Sequence, residues 1–173
     1  MKINTKKLVI TALMMALCFI ATGMLHIYRL PLGGYVHPGD IMVLLCGFVP
    51  GGWLGAFASG IGSALADLYV GANQYAIPTF FIKMAMPLVV SALTHRKNRS
   101  SIPYIRTICA FILASVVMIL GYFTFDVFMS GTEELGVLKM LMGSVPQAVT
   151  GIAGGYILLF SLDKAGFFRR YKM

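Results

Sequence analysis

A chain of 173 residues that is 58% hydrophobic and only 12% charged, with a mean hydropathy of +0.84, cannot cover a water-facing surface, since soluble domains carry about a quarter charged residues. Lipid is therefore its solvent, and the length suits one compact bundle of spanning helices over residues 1–173, with no room for a second domain. The net charge of +8 does not point to nucleic acid, because the basic residues fall in short clusters between apolar runs and not on a face interleaved with aromatics.

The first predicted span covers residues 8–25, after the basic start Met1-Lys-Ile-Asn-Thr-Lys-Lys. It is longer than a secretory signal core and no small-x-small cleavage site follows, so it reads as a retained span. A loop over residues 26–39 carries Arg29, Pro31, Gly33, Gly34, His37 and Pro38. Span two, residues 40–49, is short and is expected to borrow residues 35–39 or to enter at a tilt; Pro50-Gly51-Gly52 breaks it. Span three covers 53–70, a turn follows over 71–77, and span four covers 78–94 with Pro87 as an expected kink. A basic loop over 95–106 leads to span five, 107–128. A polar loop over 129–136 with Glu133 and Glu134 precedes span six, 137–162, which contains Pro146, and a tail runs over 163–173.

Charge chooses the topology. With six spans and both termini cytoplasmic, the inner side holds Lys2, Lys6, Lys7, Arg96, Lys97, Arg99, Arg106, Lys164, Arg169, Arg170 and Lys172, which is 11 of the 14 basic residues. With five spans it would keep only 4: Lys2, Lys6, Lys7 and Lys139. The positive-inside rule therefore favours six.

Small residues recur every four positions through and before span three: Gly47, Gly51, Gly55, Ser59 and Ser63; Gly52, Ala56, Gly60 and Ala64; Ala58, Gly62 and Ala66. Such ladders let helix backbones approach closely in lipid, and intramolecular packing is their plain reading. Span six has Gly143, Gln147, Gly151 and Gly155, and span one has Ala12-x-x-x-Ala16. Cys18, Cys46 and Cys109 are odd in number and lie within apolar runs, so they read as buried packing residues and not as a disulfide or metal framework.

No Walker A sequence, H-E-x-x-H or G-x-S-x-G occurs, and His26, His37 and His95 have no partner at metal spacing. The expectation is a protein that is not an enzyme and holds no metal or cofactor. His37 and Asp40 come nearest to a reactive pair, but Asp40 at a helix start suits the helix dipole better.

The polar residues predicted near the outer side are more informative. Asp67 ends span three, Asn73, Gln74 and Tyr75 form the turn, and Lys83 lies about 7.5 Å into span four. Asp126 ends span five and Gln147 lies inside span six. A lysine inside a span faces the bundle interior with a partner. An ion pair of Lys83 with Asp67 or Asp126 and a direct ligand contact both remain open. Tyr28, Tyr35, Tyr69, Tyr122, Phe123 and Phe125 crowd the same side, as an interfacial belt or as a stacking surface for a flat ligand.

Three runs carry a resemblance to a known family: G-Y-V-H-P-G-D over residues 34–40, G-G-W-L-G-A-F-A-S-G-I-G-S-A-L-A-D-L over 51–68, and Y-A-I-P-T-F-F-I-K over 75–83. Together they resemble the S components of energy-coupling factor (ECF) transporters, in the branch around riboflavin, hydroxymethylpyrimidine and pyridoxine uptake. The resemblance covers nearly the whole chain. It implies an all-α bundle of six transmembrane helices in a bacterial cytoplasmic membrane, with a vitamin pocket near the outer face. It also implies an A-x-x-x-A motif, here Ala12 and Ala16, that docks on a transmembrane coupling subunit. A pair of ATPase subunits completes such a complex, and the S component tips over in the membrane to deliver its substrate. Lys2 stands where nickel and cobalt members have histidine, which argues against a metal substrate. By position, the implied ligand shell is His37, Asp40, Asp67, Asn73, Gln74, Tyr75 and Lys83, with Asp126 and Gln147, and it suits pyridoxine or an aminopyrimidine. The competing reading is a stand-alone secondary transporter or channel for a small polar solute, with in-membrane charges serving proton coupling.

Overall fold

Apolar runs of spanning length, punctuated by Gly, Pro and charge, leave the backbone one option in lipid, which is to satisfy itself as helices. A computed structural model describes residues 5–25, 28–29, 35–94 and 103–170. Several residues named above lie outside these: Lys2, His26, Pro31, Gly33, Gly34, His95, Arg96, Lys97, Arg99 and Lys172.

The helices are α1 (Thr5–Gly23), α2 (Gly39–Cys46), α3 (Gly52–Val70), α4 (Ala76–Thr94), α5 (Tyr104–Ser130), α6 (Glu133–Lys139), α7 (Val145–Lys164) and the short α8 (Phe167–Arg170). A single 3-10 turn, Asn73–Tyr75, joins α3 to α4, and a π turn, Met140–Ser144, joins α6 to α7 in one continuous run. A two-residue antiparallel ladder pairs Tyr28 with Val36 and Arg29 with Tyr35 just before α2. The all-α membrane bundle expected from composition is what forms.

Five segments are long and apolar enough to cross a membrane: Thr5–Gly23, Gly52–Val70, Asn73–Thr94, Tyr104–Ser130 and Glu133–Lys164. The predicted second span is the exception. With eight residues, α2 is about 12 Å long and cannot cross alone. The two-residue ladder leads into it, and α2 itself sits in the centre of the bundle. Val43, Leu44, Leu45 and Cys46 are all buried, as befits a helix that is apolar on every side. Around them the core gathers Cys18, Met86, Val90, Phe111, Met118 and Leu159.

The chain reverses between α2 and α3 at Gly51 and Gly52, which have φ of +66° and +55°. Only glycine takes two such angles in succession without strain. The small residues of span three then meet three neighbours. A Cβ on Gly62 would press on the Met15 carbonyl of α1, and one on Gly60 would press on the Phe80 carbonyl of α4. Gly55 lies against the Cys46 carbonyl of α2, and Ser59 Oγ donates to the Lys83 carbonyl at 2.7 Å. The small residues thus serve internal close packing, as their plain reading held. Cys18 and Cys46 are buried with sulfurs 3.7 Å apart, whereas Cys109 departs from expectation and is exposed on α5.

Candidate functional site

Asp40 is the second residue of α2, and a carboxylate there was expected to serve the helix start. It stands in the first turn, where a negative charge suits the helix dipole. The carboxylate also turns to α4 and α7. Asp40 Oδ1 pairs with Lys83 Nζ, and Asp40 Oδ2 accepts from Gln147 Nε2 at 3.0 Å. Lys83 is 0% exposed and Asp40 1%. A glycine one turn along α7 makes the approach possible, since a Cβ on Gly151 would collide with the Asp40 Cβ.

The other groups around the ammonium come from α5. Met118 Sδ accepts from Lys83 Nζ at 3.2 Å, and Nζ lies 5.4 Å from the centroid of the Tyr122 ring. A thioether and an aromatic face thus take the place of water around a buried cation. The Tyr122 hydroxyl is 3.0 Å from Thr79 Oγ1. Sequence reasoning placed Lys83 correctly as an interior cation but expected Asp67 or Asp126 as its partner. The correction is Asp40, which reaches Lys83 because α2 begins deep in the bundle and not at its rim.

Asp126 belongs to a second cluster one turn further along α5, where Met118, Tyr122 and Asp126 form a stripe at steps of four. Tyr75 Oη donates to Asp126 Oδ1 at 2.6 Å, and Lys139 Nζ lies 3.1 Å from Tyr75 Oη and 3.2 Å from Asp126 Oδ1. Tyr75 also packs edge-on to Tyr122 and Phe125, with centroids 6.4 and 5.3 Å apart. The two clusters therefore touch through Tyr122.

On a regular helix, eight residues at about 100° each would leave Lys139 and Gln147 about 80° apart. The π turn between them absorbs one residue, and the remaining seven bring them to within about 20°. That turn, and with it Lys139, was not anticipated; Lys139 reads in sequence as an ordinary boundary charge. Met118 was missed because a methionine in an apolar run signals only packing.

Among the other predicted residues, His37 is buried, and its Nδ1 accepts from the Gly39 N–H at 3.1 Å. In the neutral ring this puts the proton on Nε2. Asp67 is buried near the end of α3, whereas Asn73 and Gln74 are exposed on the 3-10 turn and join neither cluster. Ala12 and Ala16 are exposed along α1, among the exposed Leu8, Val9, Leu13 and Ile20. No group of three or more His, Cys, Asp or Glu that could hold a metal ion occurs among the described residues.

A family model described as "ECF-type riboflavin transporter, S component" matches residues 2–164. The chain belongs to this family. An S component is a multi-pass membrane protein that gives an ECF transporter its vitamin-type substrate specificity, and it works by transport and not by chemical turnover. This S component is also 33% identical over 131 residues to an uncharacterized protein in the gap 3′ region of Pyrococcus woesei, covering 76% of this chain and 84% of that one. No solved structure matches it.

Proposed function

We propose that this S component captures pyridoxine or hydroxymethylpyrimidine at the outer face and delivers it inward with a transmembrane coupling subunit and two ATPase subunits. The observation that carries this reading is the buried Asp40–Lys83–Gln147 centre, walled by Tyr122 and Met118. It offers a carboxylate to an amine or hydroxyl, an ammonium and an amide to a ring nitrogen or phenolate, and an aromatic wall to a flat ring. His37 and Asp67 are buried as well, and we assign them to the same shell, with Tyr75, Asp126 and Lys139 next to it and the exposed Asn73 and Gln74 at its edge. Those groups match a compact heterocycle with donors and acceptors on its edge.

Riboflavin is the second reading, favoured by the description of the matching family. Titration calorimetry of the purified protein against pyridoxine, hydroxymethylpyrimidine and riboflavin separates the two. One of the first two is expected to bind tightest; tighter binding of riboflavin reverses the order.

The docking part of the proposal draws on the exposed α1 face, where Ala12 and Ala16 leave a shallow track between larger apolar side chains. Small residues at such positions let a second helix come close. The double variant Ala12→Leu with Ala16→Leu is expected to bind the vitamin as wild type does, yet to lose co-purification with the coupling subunit and uptake in cells. Intact uptake would place the docking surface elsewhere.

A further inference from the structure

The charged groups of the buried centre have few valences left over. An ammonium carries three N–H donors, and those of Lys83 meet Asp40 Oδ1, Met118 Sδ and the Tyr122 ring. Asp40 uses both oxygens, Oδ1 on Lys83 and Oδ2 on Gln147. The Gln147 amide is the exception. Its Nε2 donates to Asp40 Oδ2 at 3.0 Å and lies 3.7 Å from Met118 Sδ, but its carbonyl oxygen Oε1 accepts no hydrogen bond from the described residues. The side chain is only 6% exposed, and leaving a buried carbonyl unmatched is costly.

The amide cannot relieve this by turning over. A carboxylate paired with an ammonium has no proton to give, so it can meet only the N–H edge of an amide. The reversed rotamer would set Oε1 against Asp40 Oδ2, acceptor to acceptor. Chemistry therefore fixes which end of Gln147 faces Asp40, and Oε1 is held on the side away from it. Gln147 is the third residue of α7, directly after the π turn. One helical turn further on, the absent side chain of Gly151 lets Asp40 come close to α7, so the same carboxylate that approaches the helix also aims the amide.

We propose that Gln147 is the specificity-determining residue of this centre, its Oε1 accepting a hydrogen bond from an N–H or O–H on the ring edge of the transported vitamin, and that Asp40 is the positioning residue that holds the amide in that sense. The proposal rests on the vitamin-binding reading above and adds a requirement to it. The ligand must present a donor on its ring edge: the amino group of hydroxymethylpyrimidine, the phenol of pyridoxine or the imide N–H of riboflavin. An analogue that offers only acceptors there leaves Oε1 unmatched.

The test is titration calorimetry on the full-length protein and its Gln147→Met variant, which keeps the length of the side chain and removes the carbonyl. Each vitamin is paired with an analogue lacking the ring-edge donor: hydroxymethylpyrimidine with 5-hydroxymethyl-2-methylpyrimidine, pyridoxine with 3-deoxypyridoxine, and riboflavin with 3-methylriboflavin. For the vitamin that binds, wild type is expected to hold the donor-free analogue at least about tenfold more weakly, and Gln147→Met to hold the two members alike. Equal affinity of wild type for both members overturns the proposal. So does a discrimination that persists undiminished in Gln147→Met, because the donor would then be read elsewhere. In both cases the vitamin still binds, so the vitamin reading stands. If wild type binds none of the three vitamins, that reading falls and the proposal falls with it. Should Gln147→Met fail to fold, Gln147→Asn, which keeps the amide but draws the carbonyl back by one methylene, is judged by the same outcomes.

Discussion

Replacing Lys83 alone by methionine is expected to cost about 3–5 kcal/mol of folding stability, the usual penalty for stranding one member of a buried ion pair. Methionine keeps most of the volume, so the loss is electrostatic. Asp40 would remain 1% exposed, with the Gln147 amide in place of its counter-charge. The double variant Asp40→Asn with Lys83→Met should recover most of that loss, since a neutral pair of similar size leaves no charge behind. Vitamin binding should disappear in both. Denaturation in detergent micelles, followed alongside calorimetric binding, separates the two effects. A single variant that loses less than about 1 kcal/mol would mean that water reaches Lys83, and the centre would not be the dry site described above.

The second large effect is steric. Gly55→Val is expected to cost more than about 3 kcal/mol and to deplete folded protein, because the added carbons meet backbone and not a movable side chain. A Cβ there would overlap the Cys46 carbonyl, which also accepts from the Gly51 N–H at 3.0 Å. Valine would thus part α2 from α3 and break the turn that joins them. Gly52→Ala is the matched control. Its Cβ meets nothing within 4 Å, but its φ is +55°, so the expected loss is only the about 1–2 kcal/mol of a left-handed alanine. Equal losses in the two variants would show that backbone angle, and not contact, governs this corner.

Much of this was legible in sequence because lipid imposes it. Apolar length gave the long helices, and the ladders of Gly, Ala and Ser gave the close approaches of α3. The price of a charge in a span marked Lys83 as interior. Its partner was not legible. Asp40 lies 43 residues away, and its depth depends on how far α2 sinks among five long helices, which no local pattern encodes. Lys139 and Gln147 are brought into line by a π turn, which has no clear sequence signature. Asn73 and Gln74 show the opposite failure, since polarity in a turn beside a site does not say which way a side chain points.

The short central helix has a consequence for traffic through the molecule. Below Lys83, the rest of α4 runs about 16 Å to Thr94, and across that depth Met86 and Val90 pack into one apolar core with Val43, Leu44, Phe111 and Leu159. Above Lys83, the chain that leads into α2 is a two-residue ladder and not a helix. The half of the bundle below Lys83 is therefore packed shut by apolar side chains. On the function proposed above, a solute held beside Lys83 would have no open route beneath it. Emptying the site calls for a change in the whole body, and that is where a partner's energy has its point of application.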